Sequence, residues 1–143
     1  MNQLSSLYHQ AEKEQIPIVP YSLPQTGSLA LELSPGHCYI GIDYETVSDP
    51  RDQTVHLGHE LGHCLTGAFY NRYAKMDLRQ RQEIKADKWA IHRLVPMEEL
   101  DDAIARGYTE FWELAEYFGV TVDFMKKAVC LYTHGNLEAD LYF

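Results

Sequence analysis

His59-Glu60-Leu61-Gly62-His63 sets two imidazoles four residues apart, with a carboxylate directly after the first. On a helix, positions i and i+4 share a face about one turn apart, so both rings can converge on one Zn²⁺. Glu60 then projects beside the metal, where it can take a proton from a water that the metal activates. The pattern, HExxH, supplies two ligands and a base, as a zinc hydrolase requires. It fixes only three positions and needs context. The plain alternative is an ordinary helix with two histidines and a solvated glutamate. The flanks favour the metal. No proline interrupts Asp52 to Thr66. Leu57, Leu61, Cys64 and Ala68 form an apolar stripe at helical spacing, and Asp52, His56, His59, His63 and Thr66 a polar stripe beside it. Gly58 and Gly62 are poor helix formers and suggest close approach by another element.

A catalytic zinc site takes three protein ligands and keeps one position for water. The metzincin extension of the motif would require glycine at Thr66 and histidine at Phe69, so that class is excluded. The segment from Arg81 to Ala90 offers Glu83 and Asp87 four apart, with Ala86 and Ala90 on nearly the same face. Small residues around two carboxylates let this helix pack tightly on the first. Glu83 is the expected third ligand. Asp87, one turn on, is placed to accept the second ring N–H of a ligand histidine and fix its tautomer. Read plainly, both are surface charges balancing Arg79, Arg81, Lys85 and Lys88. His56 is the other candidate ligand, more simply a substrate contact. Tyr70 is a candidate for stabilising the oxyanion of a tetrahedral intermediate, with His37 and His134 as further candidates; packing is the plainer role for Tyr70.

These elements need a frame. Leu4, Leu7, Tyr8 and Ala11 predict an opening helix over about 3–14, ended by Pro17 and Pro20. Ile18 to Tyr21 reads as a short strand, confined by its prolines to an edge or a strand start. Ser28–Leu33 and Cys38–Ile42 alternate around Ser34-Pro35-Gly36, which predicts a β-hairpin. The strand around His37–Ile42 is expected to pair with an extended substrate. Asp49 as N-cap and Pro50 at the first helical position open the zinc helix. A loop over about 67–78, with Tyr70, Asn71, Arg72 and Tyr73, joins the two ligand helices. Beyond Pro96, helices are expected over about 97–106, 109–118 and 122–134, with Phe111, Leu114, Ala115 and Phe118 in the core and Gly107 and Gly119 as stops. The fold class is α+β: a small antiparallel N-terminal sheet packed on a mainly helical remainder, in one domain over 1–143.

The 143 residues carry a net charge of −9 and no basic stripe, which argues against nucleic-acid binding. The acidic segments Asp101-Asp102 and Glu138-Ala139-Asp140 read as solvated. The N-terminus lacks the charged start and apolar core of a signal peptide, and no apolar run spans a bilayer. Three cysteines, Cys38, Cys64 and Cys130, are an odd count without metal-like spacing. Reduced thiols in the cytoplasm are the simplest reading.

HELGH, then Thr66-Gly67-Ala68-Phe69-Tyr70-Asn71, then Glu83-Ile84-Lys85-Ala86-Asp87-Lys88-Trp89-Ala90, then Leu94-Val95-Pro96, resembles the ImmA/IrrE metallopeptidase family. The resemblance covers roughly Leu4 to Leu100 and is strongest from His56 to Pro96. It implies a gluzincin-like, zincin-type core and a zinc-dependent endopeptidase that cuts a helix-turn-helix transcriptional repressor of a phage, mobile element or stress locus. Carried over by position, His59, His63 and Glu83 hold the metal and Glu60 is the base. No added helix-turn-helix domain is expected, so direct nucleic-acid binding is not implied. The competing reading is a non-catalytic zinc-binding module, antitoxin-like, that controls a partner by binding. An intact Glu60 speaks against it, since a binding module needs no base beside the metal.

Overall fold

The computed structural model describes residues 2–71, 73–135 and 137. The elements run α1 (Gln3–Lys13), β1 (Ile18–Pro20), β2 (Ser28–Ser34), β3 (His37–Ile42), α2 (Pro50–Thr66), α3 (Met76–Leu94), α4 (Met97–Ala105), α5 (Phe111–Phe118) and α6 (Val122–His134). The α+β class holds, with the small sheet at the N-terminal end. Glu138–Asp140 and Arg72 lie outside the described residues. No described helix is long and apolar enough to cross a membrane.

The hairpin forms as its turn residues dictate. Gly36 takes φ +82°, a left-handed conformation that costs glycine little. β2 and β3 pair antiparallel, Ser28 opposite Ile42 and Leu31 opposite Tyr39. β1 adds in parallel on the other side of β3, Ile18 opposite Ile40, so the three-stranded sheet is mixed, in the order β1-β3-β2. The prolines keep β1 at an edge, as expected. β3 is central, with both sides occupied. The expectation that it pairs with substrate is therefore corrected: the outer strand edges of this sheet are those of β1 and β2.

Strand alternation decides which residues the sheet buries. Cys38, Ile40 and Ile42 of β3 face inward, against Leu57 and Leu61 of α2, all but Cys38 fully buried. Full burial of each such aliphatic side chain contributes about 1.5–3 kcal/mol. α1 packs Leu7 and Ala11 into the same core and is tied to α3 by Arg93, which donates to Gln10 Oε1 and Ser6 Oγ, each at 2.8 Å. The last three helices complete it with Leu100 and Ala103 of α4, Leu114, Ala115 and Phe118 of α5, and Phe124 and Met125 of α6. Phe111, expected in the core, is 40% exposed at the first position of α5. The inward face of that helix is already filled by Leu114, Ala115 and Phe118.

Cys38 and Cys64 form a disulfide that joins β3 to α2. This corrects the expectation of reduced thiols for that pair. Twenty-six residues separate the two, so nothing local in the sequence announces the bond.

Candidate metal centre

α2 begins where its capping residues place it. Asp49 accepts the Arg51 N–H at 2.8 Å and Pro50 fills the first helical position. The helix ends at Thr66 because Gly67 turns left-handed, φ +70°. Its buried side includes Leu57, Gly58, Leu61 and Gly62, and α3 crosses there. A Cβ on Gly62 would stand 2.5 Å from the Ala86 carbonyl oxygen, and one on Gly58 2.8 Å from Leu94 Cδ1. Two glycines on one helix and Ala86 and Ala90 on the other thus bring the backbones together. The close approach is what lets the side chain of Glu83 reach the α2 histidines.

The geometry converges on three donors. Glu83 Oε2 lies 2.7 Å from His59 Nε2, and Glu83 Oε1 3.1 Å from His63 Nε2. The two Nε2 atoms are 3.1 Å apart. Donors around a tetrahedral zinc stand roughly 3.3 Å from one another, so this cluster needs little movement to admit the ion. The other ring nitrogens fix the tautomers. His59 Nδ1 donates to Asp87 Oδ1 at 2.7 Å, and His63 Nδ1 donates to the Ala68 carbonyl. Each imidazole thereby presents Nε2 to the same point, the arrangement that metal-ligating histidines use.

Electrostatics agree. Burial works against charge on His59, yet the hydrogen bonds to Asp87 and Glu83 prevail and push its pKa up to about 10. His63 is also raised, by Glu83 and the Ala68 carbonyl against the cost of burial. Burial alone would raise the Glu83 carboxyl; the two histidines overcome it and hold it well below the usual carboxylate range. The cluster thus favours positive charge at its centre, and a divalent cation would supply it in place of the ring protons. The donor set, two imidazoles and one carboxylate, fits zinc.

Glu60 is buried and near enough to count among possible ligands: ligand atoms of His59, Glu60 and His63 all lie within 4.8 Å of one another. Its Oε2, however, accepts a hydrogen bond from Ser28 Oγ at 2.6 Å. Glu83, in contact with both Nε2 atoms, is the better third ligand, and Glu60 remains beside the group. Tyr70 donates to Glu83 Oε1 at 2.9 Å. Burial and that carboxylate raise its pKa. His56 shares its Nδ1 with Ser28 at 2.6 Å.

All of these line one cleft of about 880 Å³, walled by the start of β2, by α2, by Ala68–Tyr70, by α3, and by Thr121, Asp123, Phe124 and Lys127 around the start of α6. Lys127 reaches Asp87 Oδ2 at 3.6 Å. His37 and His134 are exposed and line no part of this cleft, so neither is an oxyanion donor there. Sequence reasoning missed Ser28, the Ala68 carbonyl and the α6 wall. A lone serine at a strand start and a main-chain carbonyl carry no motif. The α6 wall depends on how the last helices fold back.

Neither a curated protein nor a solved structure matches the chain. A family model does, the IrrE N-terminal-like domain of the peptidase family Peptidase_M78, over residues 11–129. That span holds HExxH, Glu83, Asp87 and every wall of the cleft, and on it the chain belongs to the IrrE N-terminal-like (Peptidase_M78) family of metallopeptidases.

Proposed function

We propose that the chain is a zinc-dependent endopeptidase that hydrolyses one peptide bond in a specific protein partner, a helix-turn-helix repressor of a phage, mobile element or stress locus. The observation that carries the reading is the division of labour at the cleft. His59, His63 and Glu83 converge as ligands, while Glu60 is held to one side by Ser28. A structural metal site is closed by four protein ligands; a catalytic one has three and an open position.

When bound, zinc supplies a Lewis acid that polarises the scissile carbonyl and activates water at neutral pH. Glu60 takes the proton of the attacking water on its carboxylate and returns it to the leaving amine. The free edge of β2, with Ser28, Leu29 and Ala30 on the cleft, offers main-chain groups to an extended substrate segment. Tyr70, its hydroxyl at Glu83 on the cleft wall, is the candidate donor to the developing oxyanion. Asp87 keeps His59 in its ligand tautomer. A repressor substrate places the reaction in the cytoplasm. The Cys38–Cys64 bond stands against that, because disulfides are rare there.

The experiment is co-expression with a repressor encoded in the neighbouring reading frame, set beside casein, with zinc content measured on the purified protein. The expected result is about one zinc per chain, cleavage of the repressor and not of casein, and loss of cleavage in Glu60→Gln with zinc retained. Rapid casein digestion would overturn the narrow specificity. Stable repressor binding with no Glu60-dependent cut would replace the enzyme with the binding module.

A further inference from the structure

Ser28 opens β2 and is buried, 28 residues from His56 and 32 from Glu60 in the chain. Its Oγ sits 2.6 Å from Glu60 Oε2 and 2.6 Å from His56 Nδ1. A hydroxyl has one proton to give and two lone pairs to accept with. An ionised carboxylate can only accept, so the Ser28 proton goes to Glu60. His56 Nδ1–H then donates to Ser28 Oγ, and His56 Nε2 is left on the side of Asp52, 3.9 Å away. One serine from the sheet thus fixes a carboxylate and an imidazole on the motif helix.

The fold builds this placement. Gly27 takes φ +81°, and a Cβ there would lie 2.6 Å from Val47 Cγ2 and 3.1 Å from His56 Cε1. Glycine lets the chain turn hard against α2 one residue before Ser28. Asp43, the residue after β3, secures the turn: its N–H donates to the Gly27 carbonyl at 2.8 Å, and its carboxylate accepts the Leu23 N–H at 2.8 Å.

We propose that Ser28 is the positioning residue for the catalytic carboxylate, clamping Oε2 of Glu60 so that this side chain serves as base and not as a fourth metal ligand. The inference rests on the peptidase reading through the role of Glu60. Without the clamp, a carboxylate already within 4.8 Å of the histidine ligand atoms is free to swing onto the metal. Among the described residues no hydrogen bond reaches Glu60 Oε1, and Glu60 lines the cleft. The clamp on Oε2 therefore leaves Oε1 to face water. The clamp suits both stages of the reaction, because Oε2 still accepts the Ser28 proton after Oε1 has taken one from water.

The test compares Ser28→Ala and Ser28→Thr with the wild type. Ser28→Ala should lower kcat about 10–100-fold, the usual cost of losing a partner that orients a metal-site group, with KM and zinc content little changed. Ser28→Thr, which keeps the hydroxyl, should recover most of it. A loss of thermal stability alone, with kcat intact, would make Ser28 merely structural and overturn the inference. A second readout needs no substrate. In ¹⁵N spectra of the histidine rings, Glu60→Gln should shift the His56 Nδ1 signal in the wild-type background and not in the Ser28→Ala background. A shift of equal size in both backgrounds would overturn the bridge. If Glu60→Gln leaves repressor cleavage undiminished, Glu60 is not the base, and the inference falls while the peptidase reading stands. If the wild type binds the repressor and cuts nothing, the peptidase reading has failed, and the ring spectra alone judge Ser28.

Discussion

Gly62→Ala tests whether the closeness of two helices makes the metal site. A Cβ at Gly62 stands 2.5 Å from the Ala86 carbonyl oxygen, with the Ala86 carbonyl carbon and Cα at 3.1 Å. These are backbone atoms of α3, so no side chain can turn aside. Ordinary contact begins near 3.4 Å, so α3 must retreat by about 0.9 Å, the kind of shift that overpacking forces at about 1–3 kcal/mol. Alanine in place of a helical glycine returns about 0.5–1 kcal/mol. Net destabilisation is therefore small, between zero and about 2.5 kcal/mol. The metal site should suffer more. Ala86 lies between Glu83 and Asp87 on α3, and a retreat of about 0.9 Å is several times the ±0.2 Å tolerance of ligand distances. Zinc affinity should fall at least about 10–100-fold, the range for disturbing an outer-shell partner. The assay is competition with a chromophoric chelator, alongside denaturant unfolding. Gly67→Ala is the control: its φ of +70° makes alanine strained, but nothing lies within 4 Å of the added Cβ. It should cost about 1–2 kcal/mol and leave zinc affinity unchanged. Equal affinity in Gly62→Ala and wild type would refute the argument that helix proximity positions Glu83.

Three further outcomes are expected. Asp87→Asn should weaken zinc binding about 10–100-fold without abolishing it; unchanged affinity would make Asp87 a surface charge. Metal uptake at pH 7 should release protons, because His59, with its pKa pushed up to about 10, must lose one to become a ligand. Apparent zinc affinity should accordingly rise with pH from neutrality towards about 10. In the metal-free protein the same raised pKa contributes stability that is full below the ordinary histidine value and fades as pH climbs through about 10. Calorimetry in buffers of different ionisation enthalpy counts the protons, and none released would contradict the assignment. Finally, reduction should lower unfolding stability by up to about 3.5 kcal/mol, the chain-entropy value for a cross-link spanning 26 residues. A denaturant midpoint indifferent to reductant would mean that the Cys38–Cys64 bond constrains nothing.

What could be read from the chain was what local periodicity encodes. His59 and His63 share a helix face because they are four apart, and Glu83 and Asp87 share another for the same reason. Asp49, Pro50 and Gly67 bound α2 through backbone preferences that each residue carries by itself. The pairing of Gly58 and Gly62 with Ala86 and Ala90 was legible too, since small residues at helical spacing leave room only for another backbone. Strand alternation gave the hairpin, but not its place in the sheet. That β3 is central and β2 free follows from β1 docking in parallel, a non-local choice. The Cys38–Cys64 bond, Ser28 against Glu60 and His56, and the Ala68 carbonyl against His63 were equally out of reach. The first two join distant parts of the chain, and the third uses a main-chain atom that every residue possesses. The sequence by itself determined which residues are the candidate ligands and base, because side-chain chemistry and helical spacing suffice to nominate them. Only the tertiary structure decided how they are oriented, because orientation comes from hydrogen bonds and close contacts between segments whose meeting no local pattern records.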